Sequence, residues 1–176
     1  MSSAFVHEIF ESIQGEGIYL GERQVFVRFS GCNMSCDYCD TPAAKEQGKD
    51  AQCAIKDKKA PEKINNPVTS ADLVSHVKKF LESKDLFHSI SITGGEPLLQ
   101  VDFLKTFLPE LKSKIYLETN GTLPGHLYEI IDNVDIIAMD FKLPSATLGS
   151  EYFKEHAEFL KTAALKEVFV KVVYTK

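Results

Sequence analysis

QVFVRFSGCNMSCDYCDTP, residues 24–42, joins the two signals that decide the fold. Residues 24–30 alternate and read as a strand. Directly behind them Cys32, Cys36 and Cys39 stand in a C-x3-C-x2-C pattern, and no fourth cysteine follows nearby. Four more strand-like runs lie downstream, at 88–93, 114–119, 134–141 and 167–174. VDIIAMDF, 134–141, is the long apolar run that a buried parallel strand needs.

Helical periodicity separates these runs. Ser70 is placed to cap a helix that carries Leu73, Val77, Phe80 and Leu81 on one face. Phe103, Leu104, Phe107, Leu108 and Leu111 mark a second. Leu127, Ile130 and Ile131 mark a shorter third, and Phe153, Phe159 and Leu160 a fourth. All four stripes read as core. Strands alternating with helices predict an α/β fold built on a parallel sheet. In such sheets the active site lies at the carboxyl ends of the strands. The unusual residues fall there: the cysteines after the first parallel strand, TGGEP (93–97) after the second, ETNG (118–121) after the third, and Asp140 to Lys142 closing the fourth. Residues 43–68 break the rhythm. They are polar and rich in Lys, Asp and Pro, and read as a surface insertion.

The chain has 176 residues, 44% hydrophobic and 26% charged, which suits a single domain over 1–176. Its net charge is −5, so no basic face for a nucleic acid is indicated. No stretch has the length and apolarity of a membrane span. The N-terminal MSSAFVHEIFES lacks the layout of a signal peptide. A cytoplasmic, reducing setting is expected, where clustered cysteines bind metal or do redox chemistry more often than they form disulfides.

A structural zinc ion wants four protein ligands. Three are clustered here, and Cys53, read as a solvent-facing thiol, or a histidine would have to supply the fourth. A [4Fe–4S] cubane held at three corners leaves one iron open to a small molecule. The residues by themselves leave both readings open, together with a non-catalytic metal-binding module.

C-x3-C-x2-C with an aromatic before its last cysteine, here Tyr38-Cys39, resembles the radical S-adenosylmethionine (SAM) superfamily. That resemblance implies a [4Fe–4S] cluster on Cys32, Cys36 and Cys39, with SAM chelating the open iron and cleaved there to a 5′-deoxyadenosyl radical. TGGEP is similar to the superfamily's SAM-binding GGE element, which implicates Gly95 and Glu96. Tyr38, Cys39, Asp40, Asp140, Phe141 and Lys142 would border SAM. The implied fold is a partial (β/α)6-type parallel barrel. It has a sixth strand, so a chain ending on strand five is expected to be truncated at its C-terminus.

HEIFESIQGEGIYLGERQVFVRFSGCNMSC, from residue 7, resembles the 7-carboxy-7-deazaguanine synthase family, as does Cys39-Asp40-Thr41. The resemblance runs to about residue 142. It implies conversion of 6-carboxy-5,6,7,8-tetrahydropterin to 7-carboxy-7-deazaguanine with loss of ammonia, in queuosine and deazapurine biosynthesis. Thr41 would ligate Mg²⁺, a hard cation suited to oxygen ligands. Ile13, Gln14, Gly15, Arg28 and Thr93 would contact the pterin, Arg28 through a forked donor pair on its carboxylate. An electron donor such as flavodoxin or ferredoxin and a homodimeric state are implied as well. Many members carry Ser-Pro-Lys where this chain has Asp140-Phe141-Lys142. A glycyl-radical-enzyme activase is the rival within the superfamily; ESIQGEG and Thr41 count against it.

Overall fold

The computed structural model describes residues 2–45, 52–57, 60–82 and 86–174. In chain order the elements are β1 (Ser3–Ala4), β2 (Val6–Ile13), β3 (Arg23–Phe29), β4 (Gln52–Lys56), β5 (Glu62–Asn65), β6 (Val68–Thr69), α1 (Ser70–Leu81), β7 (Ser89–Gly94), α2 (Val101–Phe107), β8 (Ile115–Thr119), α3 (Pro124–Ile130), β9 (Ile136–Phe141), α4 (Phe153–Ala163) and β10 (Glu167–Val172). Eight strands form one sheet in the order β10-β9-β8-β7-β3-β2-β4-β5. The five from β10 to β3 are parallel. β2 runs antiparallel to β3, parallel to β4, and β4 pairs antiparallel with β5. The sheet does not close, so the architecture is an open, partial barrel.

The two faces of the sheet have different chemistry because strand side chains alternate. One face carries Val25, Val27, Phe29, Ile90, Ile92, Leu117, Ile137 and Met139, all buried. Against it pack Leu73, Val77 and Phe80 of α1, Phe103, Leu104 and Phe107 of α2, Leu127 and Ile130 of α3, and Phe159 of α4. Burying a side chain of this size contributes about 1.5–3 kcal/mol. The other face is largely polar. Gln24, Phe26 and Arg28 lie in register with Ser89, Ser91 and Thr93, and Lys171 with Asp140. An apolar barrel interior would fill itself with side chains; this one leaves a cleft.

Four expectations need correction. The 43–68 segment is not only surface insertion: β4 and β5 extend the main sheet, and β6 pairs with β1. Residues 46–51, 58 and 59 of that segment lie outside the described residues. Cys53 is not solvent-facing. It is 0% exposed and sits in the core beside Ile55, because the alternation of Gln52-Cys53-Ala54-Ile55-Lys56 sends both inward. Thr69, not Ser70, caps α1: its hydroxyl accepts from Asp72 N at 3.2 Å and donates to the Asp72 carboxylate at 2.7 Å. Phe153 is not core. It is exposed at the first turn of α4, with its ring tilted against Phe141 of the sheet.

Candidate active site

A cleft of about 780 Å³ opens at the carboxyl ends of the parallel strands. The cysteine loop forms one wall. Gly31, at φ +99°, turns the chain out of β3, and its N–H is pinned to Ala44 O at 2.7 Å. Asn33 anchors the loop from below. It donates to Thr122 Oγ1 at 2.9 Å and accepts from Asn120 Nδ2 at 2.9 Å. Cys32, Cys36 and Cys39 are half-buried free thiols that all line the cleft; Cys53 does not. Burial raises the pKa of Cys32 and Cys36, although Lys142 and Lys45 pull Cys36 back. Tyr38, Asp40 and Thr41 line the same wall. Thr41 precedes a 3-10 turn, Pro42–Ala44, but its side chain makes no cap hydrogen bond.

The floor of that wall is the Gly94-Gly95 turn. A Cβ on Gly95 would lie 2.3 Å from Gly31 O and 2.9 Å from Cys32 Cβ, so only glycine lets the two loops meet. The backbone locks them: Gly95 N donates to Phe29 O at 3.2 Å and Glu96 N to Gly31 O at 2.8 Å. Glu96 itself departs from expectation. It is 0% exposed and does not line the cleft. Its carboxylate accepts from Leu98 N (3.0 Å), Thr119 Oγ1 (2.9 Å) and Asn120 N (2.7 Å). A side chain engaged in this way ties the β7 loop to the β8 loop beneath the cleft. Burial pushes its pKa up to about 7, and those three donors limit the rise.

At the end of β9, Asp140 and Lys142 line the cleft and pair at 3.0 Å; Lys142 also donates to Tyr38 OH at 3.1 Å. Burial works against the Lys142 ammonium, yet Asp140 and Tyr38 outweigh it and hold the pKa above the usual lysine value. Phe141 is the second departure. Alternation turns its ring away, onto Phe153 and His156 of α4, with centroids 5.9 and 4.5 Å apart. His156 is fully buried and donates Nε2–H to Asn120 O at 3.0 Å, which steadies the ETNG loop.

The opposite wall brings together Ile13, Gln14, Gly15, Arg28 and Thr93. It also holds Glu118, of the ETNG segment, and two aromatic residues to which the motif reading gave no role. Glu118 accepts from Gln14 Nε2 at 2.8 Å through one oxygen and from Thr93 Oγ1 at 2.8 Å through the other. Phe10 and Phe26 stack at 5.0 Å, 7° from parallel, and both line the cleft. Arg28 lies 5.6 Å above the Phe10 ring, and Glu8 Oε1 accepts from its Nε at 2.9 Å. Burial opposes ionisation of Glu8, but Lys56 and Arg28 together hold its pKa below the usual value. Lys171, from β10, completes this wall. The overlooked signal was the two-residue period: stepping back from Arg28 along the same face reaches Phe26.

Among the described residues no three His, Cys, Asp or Glu side chains converge on one metal ion. Cys53, buried in the core and away from the cleft, is not placed to complete a four-ligand zinc site. Three spaced thiols suit a cubane instead, in which each binds a different iron.

The Radical SAM superfamily profile matches residues 26–173. A 7-carboxy-7-deazaguanine synthase from Geobacter sulfurreducens is 42% identical over 97% of this chain and 69% of its own length. The enzyme of that name from Methanothermobacter thermautotrophicus is 43% identical over 77% of the chain and 48% of its own length. That from Methanopyrus kandleri is 36% identical over 96% and 68%. The chain therefore spans from about half to just over two thirds of these relatives. The crystal structure of QueE from Escherichia coli superposes with a TM-score of 0.52 at 17% identity, covering 97% of this chain and 84% of that one, a likeness of fold. Profile, relatives and the cysteine-lined cleft lead to one assignment: the chain belongs to the radical SAM superfamily and, within it, to the 7-carboxy-7-deazaguanine synthase family.

Proposed function

We propose that the chain, as a single domain over residues 1–176, converts 6-carboxy-5,6,7,8-tetrahydropterin to 7-carboxy-7-deazaguanine with loss of ammonia. The observation that carries the reading is that one cleft holds two chemically distinct walls. Three thiols and a glycine-rich turn form one, and a Gln14–Glu118–Thr93 hydrogen-bonding set with Arg28 forms the other. Cys32, Cys36 and Cys39 would hold a [4Fe–4S] cluster. When bound, that cluster supplies the electron that cleaves SAM and starts radical chemistry.

The chain's own residues then bind and orient. Gly95, Tyr38, Asp40, Asp140 and Lys142 border the space for SAM, with the Asp140 carboxylate suited to an ammonium and Lys142 to a carboxylate. Glu118 is an acceptor suited to the N–H groups of a pterin ring edge, held in place by Gln14, whose amide hydrogens donate to Glu118 and Gln24. Phe10 and Phe26 offer an aromatic surface to a flat heterocycle. Arg28, oriented by Glu8 through Nε, keeps its terminal nitrogens for a carboxylate. Thr41 offers a hydroxyl oxygen to Mg²⁺, whose remaining ligands would be water and substrate oxygens. A homodimer, a cytoplasmic setting and a flavodoxin- or ferredoxin-type donor belong to the same reading.

The deciding assay is anaerobic reconstitution with iron and sulfide, followed by SAM, dithionite, Mg²⁺ and the carboxytetrahydropterin. Mass spectrometry is expected to find the deazaguanine and ammonia. SAM cleavage without that product would overturn the substrate assignment.

A further inference from the structure

The Gln14–Tyr19 segment owes its place to β10, which lies at the edge of the sheet and meets it across 148 and 155 residues of sequence, at Tyr19–Glu167 and Glu16–Lys171. Glu167, Phe169 and Lys171 alternate along β10 and share one face. Each meets the segment. The Tyr19 hydroxyl donates to the Glu167 carboxylate. The Phe169 ring occupies the space beside Gly17, 2.2 Å from where a Cβ would stand. Lys171 Nζ donates to Glu16 Oε2 at 2.6 Å.

Of these three contacts, the lysine also lines the cleft. Its Nζ lies 3.3 Å from Asp140 Oδ1, while the other Asp140 oxygen holds Lys142, and Lys142 holds Tyr38. A line of alternating charge thus runs from Glu16 to the cysteine wall, with Glu118 facing Lys171 as well. The Lys171 side chain is 19% exposed, so water screens it less than a surface lysine.

We propose that Lys171 is a positioning residue: it ties the Gln14–Gly17 loop to Asp140 across the mouth of the cleft, so that β10 sets the wall that meets substrate. Only the last clause rests on the function proposed above. Lys171→Met keeps the stem and removes the charge; Lys171→Arg keeps the charge. In the reconstituted holoenzyme without pterin, hydrogen exchange of residues 14–19 is expected to rise about tenfold in Lys171→Met, the size of one lost charge-assisted hydrogen bond, and to recover in Lys171→Arg. With pterin, KM should rise more than kcat falls, while SAM affinity changes less than either. Should Lys171→Met fold poorly, seen as faster exchange in β8 too, Glu16→Gln cuts the same tie from the exposed side. Wild-type exchange of 14–19 in Glu16→Gln, or in a folded Lys171→Met, overturns the proposal. A wild-type enzyme that turns over no pterin would sink the substrate assignment and leave the exchange result to decide this one.

Discussion

Gly95→Ala adds one methyl group where two loops touch. The new Cβ would stand 2.3 Å from Gly31 O, 2.7 Å from Gly31 C and 2.9 Å from Cys32 Cβ. The first two are backbone atoms, so no side chain can swing aside. Carbon contacts want about 3.5 Å or more, so the loops must part by roughly 1 Å. That movement stretches the Glu96 N to Gly31 O bond from 2.8 Å and the Gly95 N to Phe29 O bond from 3.2 Å, toward or past the limit for a hydrogen bond. Overpacking costs about 1–3 kcal/mol, and loosening two hydrogen bonds adds about 1–2 kcal/mol. For a chain of this length 1 kcal/mol moves Tm by about 2–4 °C, so a fall of roughly 5–15 °C is expected. Cys32 is displaced along with Gly31, so iron retained per chain should fall as well. The matched control is Gly15→Ala. Nothing lies within 4 Å of its Cβ, and the change should stay within about 1 kcal/mol of neutral. Anaerobic thermal unfolding and iron-sulfide analysis of both variants provide the measurement. A Gly95→Ala protein with wild-type Tm and iron content would refute the close approach of the two loops.

Cys53→Ser places a hydroxyl in an apolar core and should cost about 1–3 kcal/mol by urea unfolding; iron content should not change, and loss of iron would reinstate Cys53 as a ligand. Glu96 predicts a pH dependence. Its folded pKa, about 7, exceeds the model-peptide 4.5, so the folded state holds the proton more tightly, and its contribution is full below about pH 4.5. That contribution is lost as pH rises to about 7, by about 3 kcal/mol at most. Urea midpoints of wild type and Glu96→Gln between pH 5 and 8 should converge or cross in that sense, and parallel curves would remove the assignment. Glu8 acts oppositely, since its pKa is depressed: stability present above about pH 4.5 drains as pH falls further, and Glu8→Gln should flatten that limb.

Motif reading found the thiols, the glycine turn and the wall of Gln14, Arg28 and Thr93, because each is announced by a short string or by its place at a strand end. For Glu96 and Phe141, expected beside SAM, it gave the neighbourhood and not the orientation. A motif marks a neighbourhood, whereas the direction of one side chain depends on the pleat and on burial. Glu96 turned down into three donors, and Phe141 turned out toward α4. It also missed β2, whose Phe10 and Ser12 line the cleft, with Glu8 on the same face, and so break the pattern of a buried strand.

Local periodicity in the chain was enough to determine the parallel α/β class, the helices marked by Leu73, Val77 and Phe80 and by Phe159 and Leu160, and the cysteine-bearing loop, since alternation and amphipathic spacing record burial residue by residue. Only the tertiary structure decided that Glu118 would meet Gln14, that Lys171 would meet Glu16 and Asp140, and that Cys53 would be core. Those pairings depend on strand order and register across crossovers of tens of residues. No local window carries that information, because it arises when the strands assemble.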